Sequence, residues 1–224
     1  YFIVVSSNHF LEQTAGMTDA ATVKQRAEVR FLRALGYYYL MDLYGNVPFT
    51  ETISDQQPTQ IKRVDLYKYI TKELTECEPD MYAPKAAPYY RVDKAANWLL
   101  KSRIFLNAQV YTGTAQWDSA MIYSKKVMDS GYTLAPDYKH LFMGDNAGSI
   151  DGSSVNKAQN EIIFPIASDG VKIKSWGSSV FLLGSTKAGD MPSRGTSEVW
   201  SGNRARAALV KKFFPDGIVP SSAN

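Results

Sequence analysis

The sequence predicts a mainly α-helical fold of tetratricopeptide-like helix hairpins, carrying a loop-rich layer with a few short strands. Three observations support this prediction. Apolar residues recur at helical spacing up to residue 131, and this periodicity is lost beyond it. Residues 27–45 and 95–113 are equally long helical stretches that both end in glycine, offset by twice the 34 residues of a tetratricopeptide repeat. We therefore predict a helical scaffold over residues 1–131 and a ligand-binding layer of the same domain over residues 132–224.

The composition is that of an ordinary globular protein. Of 224 residues, 45% are hydrophobic and 21% are charged, and the formal net charge is +3, which excludes a disordered or coiled-coil chain. Lysine and arginine are interleaved with acids, so no nucleic-acid-binding stripe is predicted. Cys77 is the single cysteine, so an internal disulfide cannot form. No apolar run approaches the roughly 18 residues that a membrane helix needs.

The first predicted helix begins at Thr18 or Asp19 and ends at Tyr44. Asp19 is a suitable N-cap, and Gly45 followed by Pro48 is a typical helix stop. One face is apolar: Ala27, Phe31, Ala34, Leu35, Tyr38 and Met41. Residues 46–64 lack periodicity, so we expect a long exposed connection there.

Three more helices are predicted before Gly131. The second is capped by Asp65 and ended by Pro79, with Cys77 as a small core residue. The third runs from Asp93 to about residue 112, and the fourth covers residues 116–129, forming an antiparallel hairpin with the third. The residues expected to face inward on the fourth helix are Trp117, Ala120, Met121, Ser124, Val127 and Met128.

Beyond Gly131 the sequence is rich in glycine, serine and asparagine. Residues 132–134, 161–166 and 180–183 are short apolar or β-branched runs that predict strands. Residues 203–214 alone have a helical pattern again. Loops on a rigid scaffold are where ligand contacts tend to lie.

Catalytic and metal motifs are scarce, so the sequence does not predict an enzyme and predicts no cofactor. Glu73 and Glu76 lie one helical turn apart, but on an amphipathic helix we interpret them as a solvated face. Asp145 and Asp151 could bind a structural Ca²⁺ together with nearby oxygen-bearing side chains. Without EF-hand spacing, a solvated polar loop is the preferred interpretation. The nearby side chains are Asn146, Ser153 and Asn156.

Two tryptophans lie in loops flanked by glycine and serine. Trp176 and Trp200 could leave their indole faces uncovered, and the apolar C–H face of a sugar ring packs on such a plane. Polar contacts to the sugar hydroxyls are expected from Asn203, Lys174 or Arg194. The alternative, equally consistent with the sequence, is that each tryptophan packs the loop layer onto the core.

The chain also resembles the SusD/RagB family of outer-membrane glycan-binding lipoproteins. The resemblance is carried by residues 26–34 and 44–48, and continues through residues 91–98, 117–120, 127–132 and 161–166. Residues 169–172, 176–177 and 188–192 are particularly similar to the starch-binding founder of the family. The resemblance covers essentially the whole chain.

This resemblance implies a non-catalytic protein that captures starch and maltooligosaccharides on an arc of three aromatic residues. Two of them map onto Trp176, where the founder has a tyrosine, and Trp200. The third aromatic, a sugar-binding asparagine and arginine, and the lipid-bearing cysteine would precede Tyr1, so the chain is expected to be an internal portion. The resemblance further implies an outward-facing, lipid-anchored position in the outer membrane and polysaccharide import with a SusC-like TonB-dependent transporter.

Other function classes remain open at this stage. The chain could bind another glycan, or it could be a helical-repeat scaffold for protein interactions with no sugar site. The scaffold would require both tryptophans to be buried. A glycoside hydrolase would require two carboxylates about 5 to 9.5 Å apart, and the sequence nominates no such pair.

Overall fold

The first half of the chain is built from helices that pack in antiparallel pairs. The computed structural model describes residues 1–142, 158–167, 179–187, 189 and 197–217. The mainly helical class is confirmed. The α-helices are α1 (Phe2–Gln13), α2 (Ala20–Tyr44), α3 (Arg63–Cys77), α4 (Lys94–Leu106), α5 (Ala108–Thr112), α6 (Trp117–Met128), α7 (Ser179–Thr186) and α8 (Ala207–Phe213), and the strands are β1 (Val47–Phe49) and β2 (Thr59–Ile61). Short 3₁₀ segments cover Glu78–Asp80, Tyr138–Phe142 and Ala158–Asn160.

The chain divides into two compact units, residues 1–165 and 166–224. Residues beyond 131 thus contribute to the first unit. Thr133 N donates to Asn160 O over 3.1 Å, and the rings of Phe31 and Phe164 pack edge to face with their centroids 6.1 Å apart. The division between scaffold and ligand-binding layer at residue 131 is a functional one and stays a prediction.

Helix α2 begins and ends as predicted, and it packs against a helix that the sequence analysis did not identify. The Asp19 side chain accepts from Thr22 N over 2.9 Å, and Gly45 has φ 75° at the C-terminus. Helix α1 runs antiparallel to α2. Gly36 permits this close approach, because a Cβ there would lie 2.6 Å from Ile3 Cγ2. Val4 is fully buried in the core between them.

A buried carboxylate joins α2 to α3. Glu73 is 4% exposed; its Oε1 accepts from Arg30 Nη2 at 2.5 Å and its Oε2 from Arg33 Nη2 at 2.6 Å. Arg33 Nη1 donates to Asn8 Oδ1 on α1 over 2.9 Å, and Arg30 also pairs with Glu76. We call these five residues the Glu73 cluster. The prediction of a solvated face was wrong for Glu73, because α2 places two guanidinium groups opposite it.

The charge of Glu73 is stabilised within this cluster. Burial by itself raises the pKa of a carboxyl group, but hydrogen bonds from Arg30 and Arg33 outweigh it and hold the pKa of Glu73 below its ordinary value. Both oxygens of Glu73 are therefore engaged as ionic acceptors.

The predicted exposed connection over residues 46–64 contains a small antiparallel hairpin. Strands β1 and β2 pair with Val47 opposite Ile61 and Phe49 opposite Thr59. Val47 is buried, and the Phe49 ring lies against Tyr37 and Tyr69 at centroid distances of 5.3 and 4.8 Å. Three-residue strands are too short to produce a detectable alternation, which is why the sequence did not predict them.

The later helices of the first unit follow the prediction with shifted ends. Helix α3 starts at Arg63, so Asp65 lies in its first turn and does not cap it. Asp93 caps α4 by accepting from the amides of residues 95 and 96. The predicted third helix is interrupted at Asn107, whose ψ of 10° ends α4 before α5 begins. Cys77 is buried in the core, as predicted.

Helices α4 and α6 form the predicted antiparallel hairpin, but the inward face of α6 was assigned too broadly. Ser102 Oγ hydrogen-bonds Ser124 Oγ at 2.7 Å, and Phe105 stacks on Tyr123 at 5.5 Å. Among the residues predicted to face inward, Ala120 is buried. The side chains of Trp117, Met121 and Met128 are exposed, because they lie beyond the strip of α6 that α4 covers.

In the second unit, the run predicted as a strand at residues 180–183 lies within helix α7. A short apolar run has no period that distinguishes strand from helix, and the described residues place no partner strand beside it. Residues 132–134 and 161–166 are likewise not strands. The predicted helix at residues 203–214 is confirmed over Ala207–Phe213.

Among the residues described, no helix combines the length and apolar character needed to span a bilayer.

Replacement of Glu73 by glutamine should strongly destabilise the protein. Glu73→Gln removes the close counter-charge of the buried Arg33 and one of the two carboxylates that Arg30 contacts, and breaking a buried pair costs about 3 to 5 kcal/mol. Glu76→Gln is the matched control, because Glu76 is half exposed and should cost less than about 1 kcal/mol. Denaturant unfolding of both variants measures the difference; equal losses would contradict a special role for Glu73.

The contribution of Glu73 should also depend on pH. Because its pKa is lowered in the folded state, the stability it provides is present above the ordinary glutamate pKa of about 4.3. That stability is lost as the pH falls through the lower folded pKa. The difference in unfolding free energy between wild type and Glu73→Gln should therefore shrink on acidification from pH 7, which unfolding curves at several pH values would measure.

Gly36→Ala should lower stability although glycine is a poor helix former. In an open helix this change gains about 1 kcal/mol, but here the new methyl group meets Ile3 Cγ2 and overpacking costs about 1 to 3 kcal/mol. In an Ile3→Ala background the same change should become neutral or stabilising. Thermal unfolding of the four variants in this cycle tests the prediction, and a stabilising Gly36→Ala in the wild-type background would refute it.

Candidate functional site

The structure describes two of the five residues predicted to bind sugar. Trp200 and Asn203 lie in the irregular segment between α7 and α8 of the second unit. Trp176, Lys174 and Arg194 lie outside the described residues, as do the Ca²⁺ candidates Asp145, Asn146, Asp151, Ser153 and Asn156. We therefore build the site from Trp200 outward.

The segment that carries Trp200 is fixed to the end of α7 by backbone hydrogen bonds. Trp200 N donates to Gly184 O over 2.9 Å, Ser201 N to Lys187 O over 3.1 Å, and Asn203 N to Ser185 O over 2.7 Å. The positive φ of 50° at Ser201 turns the chain between these bonds, a conformation that is uncommon for a residue other than glycine. Such strain is typical of sites where the backbone must present a side chain.

The Trp200 indole is supported on one side and exposed on the other. A Cβ at Gly184 would lie 3.2 Å from Trp200 Cε3, so glycine leaves room for the ring to lie directly on the α7 backbone. The Phe181 ring packs against the indole at a centroid distance of 5.7 Å, with 59° between the ring planes. Trp200 nevertheless remains 38% exposed. Trp200 is therefore partly presented to solvent.

The polar edge of the indole has a carboxylate partner that the sequence analysis did not single out. Trp200 Nε1 donates to Glu198 Oε2 over 3.0 Å, which fixes the rotation of the ring. A carboxylate two residues before an exposed tryptophan is a signal that could have identified Glu198. Phe181 was missed because residues 180–183 were assigned to a strand.

Asn203 is exposed and is oriented by a short contact to α7. Its Nδ2 donates to Ser185 Oγ over 2.7 Å, so the amide group is held rather than free to rotate. Trp200, Glu198 and Asn203 thus present an aromatic face, a carboxylate and an amide from one short segment. Carboxylates and amides are the groups that pair with sugar hydroxyls around an aromatic platform.

The described residues offer little for acid–base or metal chemistry. They contain no group of three or more histidine, cysteine, aspartate or glutamate side chains placed to hold a metal ion. Both oxygens of Glu73 accept from arginines, and Glu76 shares Arg30 with it. This pair therefore serves as an ionic link between helices.

Comparison with known proteins bears on the whole chain. No family model matches the sequence. The chain is 49% identical over 211 residues to the starch-binding protein SusD of Bacteroides thetaiotaomicron, a match that covers 94% of this chain and 37% of SusD.

Solved structures agree with this relationship at the level of the fold. A SusD-like carbohydrate-binding protein from Bacteroides fragilis matches with a TM-score of 0.54 at 24% identity, over 62% of this chain and 28% of that chain. A laminarin-binding SusD-like protein matches with a TM-score of 0.55 at 19% identity, over 64% of this chain and 33% of that one. The chain thus spans about a third of the length of these relatives. From the sequence identity and the shared helical fold, we conclude that the chain belongs to the SusD family.

Proposed function

We propose that the protein binds starch and maltooligosaccharides at its surface without catalysis, using Trp200 as a stacking platform. The observation that carries this proposal is the Trp200 indole, which Gly184, Phe181 and Glu198 hold in place while the residue stays 38% exposed. A preordered aromatic face loses little conformational entropy when a sugar ring packs on it. Trp176 is proposed to supply the second aromatic face, and Lys174, Arg194 and Asn203 the polar contacts.

The choice of an α-glucan rests on sequence similarity. The 49% identity to a protein named for starch binding supports it. The structural likeness to a laminarin-binding protein favours the main alternative, a SusD-like binder of another glycan. A protein-interaction scaffold with no sugar site would require a buried Trp200, and the exposure of this residue argues against it.

We further propose the cellular setting that family membership implies. The protein would be lipid-anchored in the outer membrane, face outward, and pass oligosaccharides to a SusC-like TonB-dependent transporter. Binding without hydrolysis suits this role, because the transporter must receive the sugar from the protein that captured it.

Titration calorimetry of the full-length protein can separate these glycans. We expect heat of binding with maltoheptaose and cyclic maltooligosaccharides and none with laminarin, a β-linked glucan. Binding of laminarin alone would replace the α-glucan proposal by the alternative glycan. Absence of binding to all three would contradict the proposal and raise the scaffold alternative.

Truncation of the platform should weaken α-glucan binding without unfolding the protein. Trp200→Ala, and likewise Trp176→Ala, should cost about 1 to 3 kcal/mol, the loss expected for an aromatic residue at the centre of a binding site. Trp117→Ala is the matched control, because Trp117 is 59% exposed on α6 in the other unit. Calorimetry should give wild-type affinity for this control, and wild-type affinity for the Trp200 variant would refute the platform.

Loss of the Glu198 carboxylate should affect binding through the orientation of the indole. Glu198→Ala removes the acceptor of Trp200 Nε1, and we expect a loss of roughly 0.5 to 1.5 kcal/mol, the net value of one hydrogen bond. Glu198→Gln keeps an acceptor oxygen and should retain most of the affinity. Equal losses in the two variants would instead indicate that the charge itself contacts the sugar.

A further inference from the structure

The first unit contains a cleft that is separate from the Trp200 segment. It has a volume of about 210 Å³ and lies between the 85–93 segment, Tyr132 and the 159–165 segment. Aromatic and amide residues line it together: Tyr89, Tyr90, Tyr132, Gln159 and Asn160. We call it the Tyr89 cleft.

The wall of the cleft is held rigid by Asp93. This buried carboxylate accepts from the backbone amides of residues 95 and 96, from Lys85 N over 2.7 Å and from Tyr132 OH over 2.7 Å. Lys85 Nζ donates to Gly131 O and lies 5.6 Å from the centre of the Tyr132 ring. Lys85 keeps its charge in this contact because a carbonyl is neutral, whereas the guanidinium of Arg91 pairs with the carboxylate of Glu28.

Two observations indicate that the cleft is built at a cost to the folded protein. Lys85 and Tyr90 have φ values of 60° and 75°, a region that costs energy for residues with a Cβ and is enriched at ligand-binding positions. The hydroxyl oxygen of Tyr89 is buried and has no hydrogen-bond partner. A buried polar group left unpaired is destabilising, and a ligand hydroxyl placed beside it would remove that penalty.

We propose that the Tyr89 cleft binds one neutral pyranose ring. The size supports a single ring, because the volume lies below the roughly 300 to 1,000 Å³ of clefts that enclose drug-sized ligands. Aromatic faces suit the C–H face of a sugar, while the amides of Gln159 and Asn160 and the Tyr89 hydroxyl suit its hydroxyls. Neutrality is proposed because the two cations at the cleft, Lys85 and Arg91, are matched by two carboxylates, Asp93 and Glu28.

The test uses the full-length protein carrying Trp176→Ala and Trp200→Ala, so that the platform site does not contribute. Ligand-observed saturation-transfer NMR with methyl α-D-glucopyranoside should show weak binding in this background. Adding Tyr90→Gly should weaken that binding at least tenfold. Glycine adopts the positive φ without strain, so the fold should be preserved. Tyr138→Ala, which removes an exposed ring of the same unit, should leave the binding unchanged.

A second variant separates ligand binding from a structural role. Tyr89→Phe removes the unpaired hydroxyl, so it should raise the melting temperature while it lowers the affinity for the glucoside. A purely structural tyrosine would not move these two quantities in opposite directions.

Three results would overturn the proposal: no glucoside binding in the platform-deficient background, unchanged binding after Tyr90→Gly, or binding of glucuronate in preference to the glucoside. A further outcome separates the two proposals. If the platform-deficient variant binds the glucoside, and the wild-type protein binds maltoheptaose at a single site, the cleft is supported and the platform proposal is contradicted.

Discussion

The carboxylate of Glu73 is the contact on which the packing of the first three helices depends. It accepts from Arg30 and Arg33 of α2, and Arg33 continues to Asn8 of α1. Asn8 Nδ2 in turn donates to the backbone oxygen of Thr50, which follows strand β1 and also accepts from Tyr37 OH. Charges removed from water are costly unless every partner is in place, so a slip of any one helix would leave an arginine or Glu73 unpaired. The cluster therefore selects one register for α1, α2, α3 and the hairpin.

The same type of contact recurs further along the chain. Glu28 of α2 accepts from Arg91, just before α4, and Glu78 accepts from Lys101 Nζ over 2.6 Å although Lys101 is almost fully buried. Each pair joins segments far apart in sequence. Small apolar residues such as Ala95 and Ala96 allow helices to approach closely but specify alignment weakly. The ion pairs supply that specificity, and Asp93 extends the arrangement to the Tyr89 cleft by joining the start of α4 to Lys85 and Tyr132.

Several helix ends, which depend on local contacts, were predicted correctly from the sequence. The burial of several side chains, which depends on packing between distant residues, was not. The helix ends at Asp19, Gly45 and Asp93 were predicted correctly, because a helix cap depends on neighbouring backbone groups. The burial of Glu73 could not be predicted, because it depends on arginines forty residues away, and the exposed face of α6 depends on how narrow a strip α4 covers. At the candidate site, the glycine and serine neighbours of Trp200 left an exposed and a packed ring equally consistent with the sequence. The support that Phe181 gives to the Trp200 indole could not be predicted, because it depends on residues 180–183 lying in a helix, α7.

The way Trp200 is held has a consequence for the proposed function. Its supports, Gly184, Phe181 and Glu198, all lie within twenty residues of it, so the ring is ordered before any sugar arrives. This preorganisation raises the affinity that each stacking contact provides, but one or two stacked rings still give weak binding. Weak sites suit a protein that must capture a polymer and then release it, since a glucan chain presents many equivalent rings and several weak contacts on one chain combine through effective concentration.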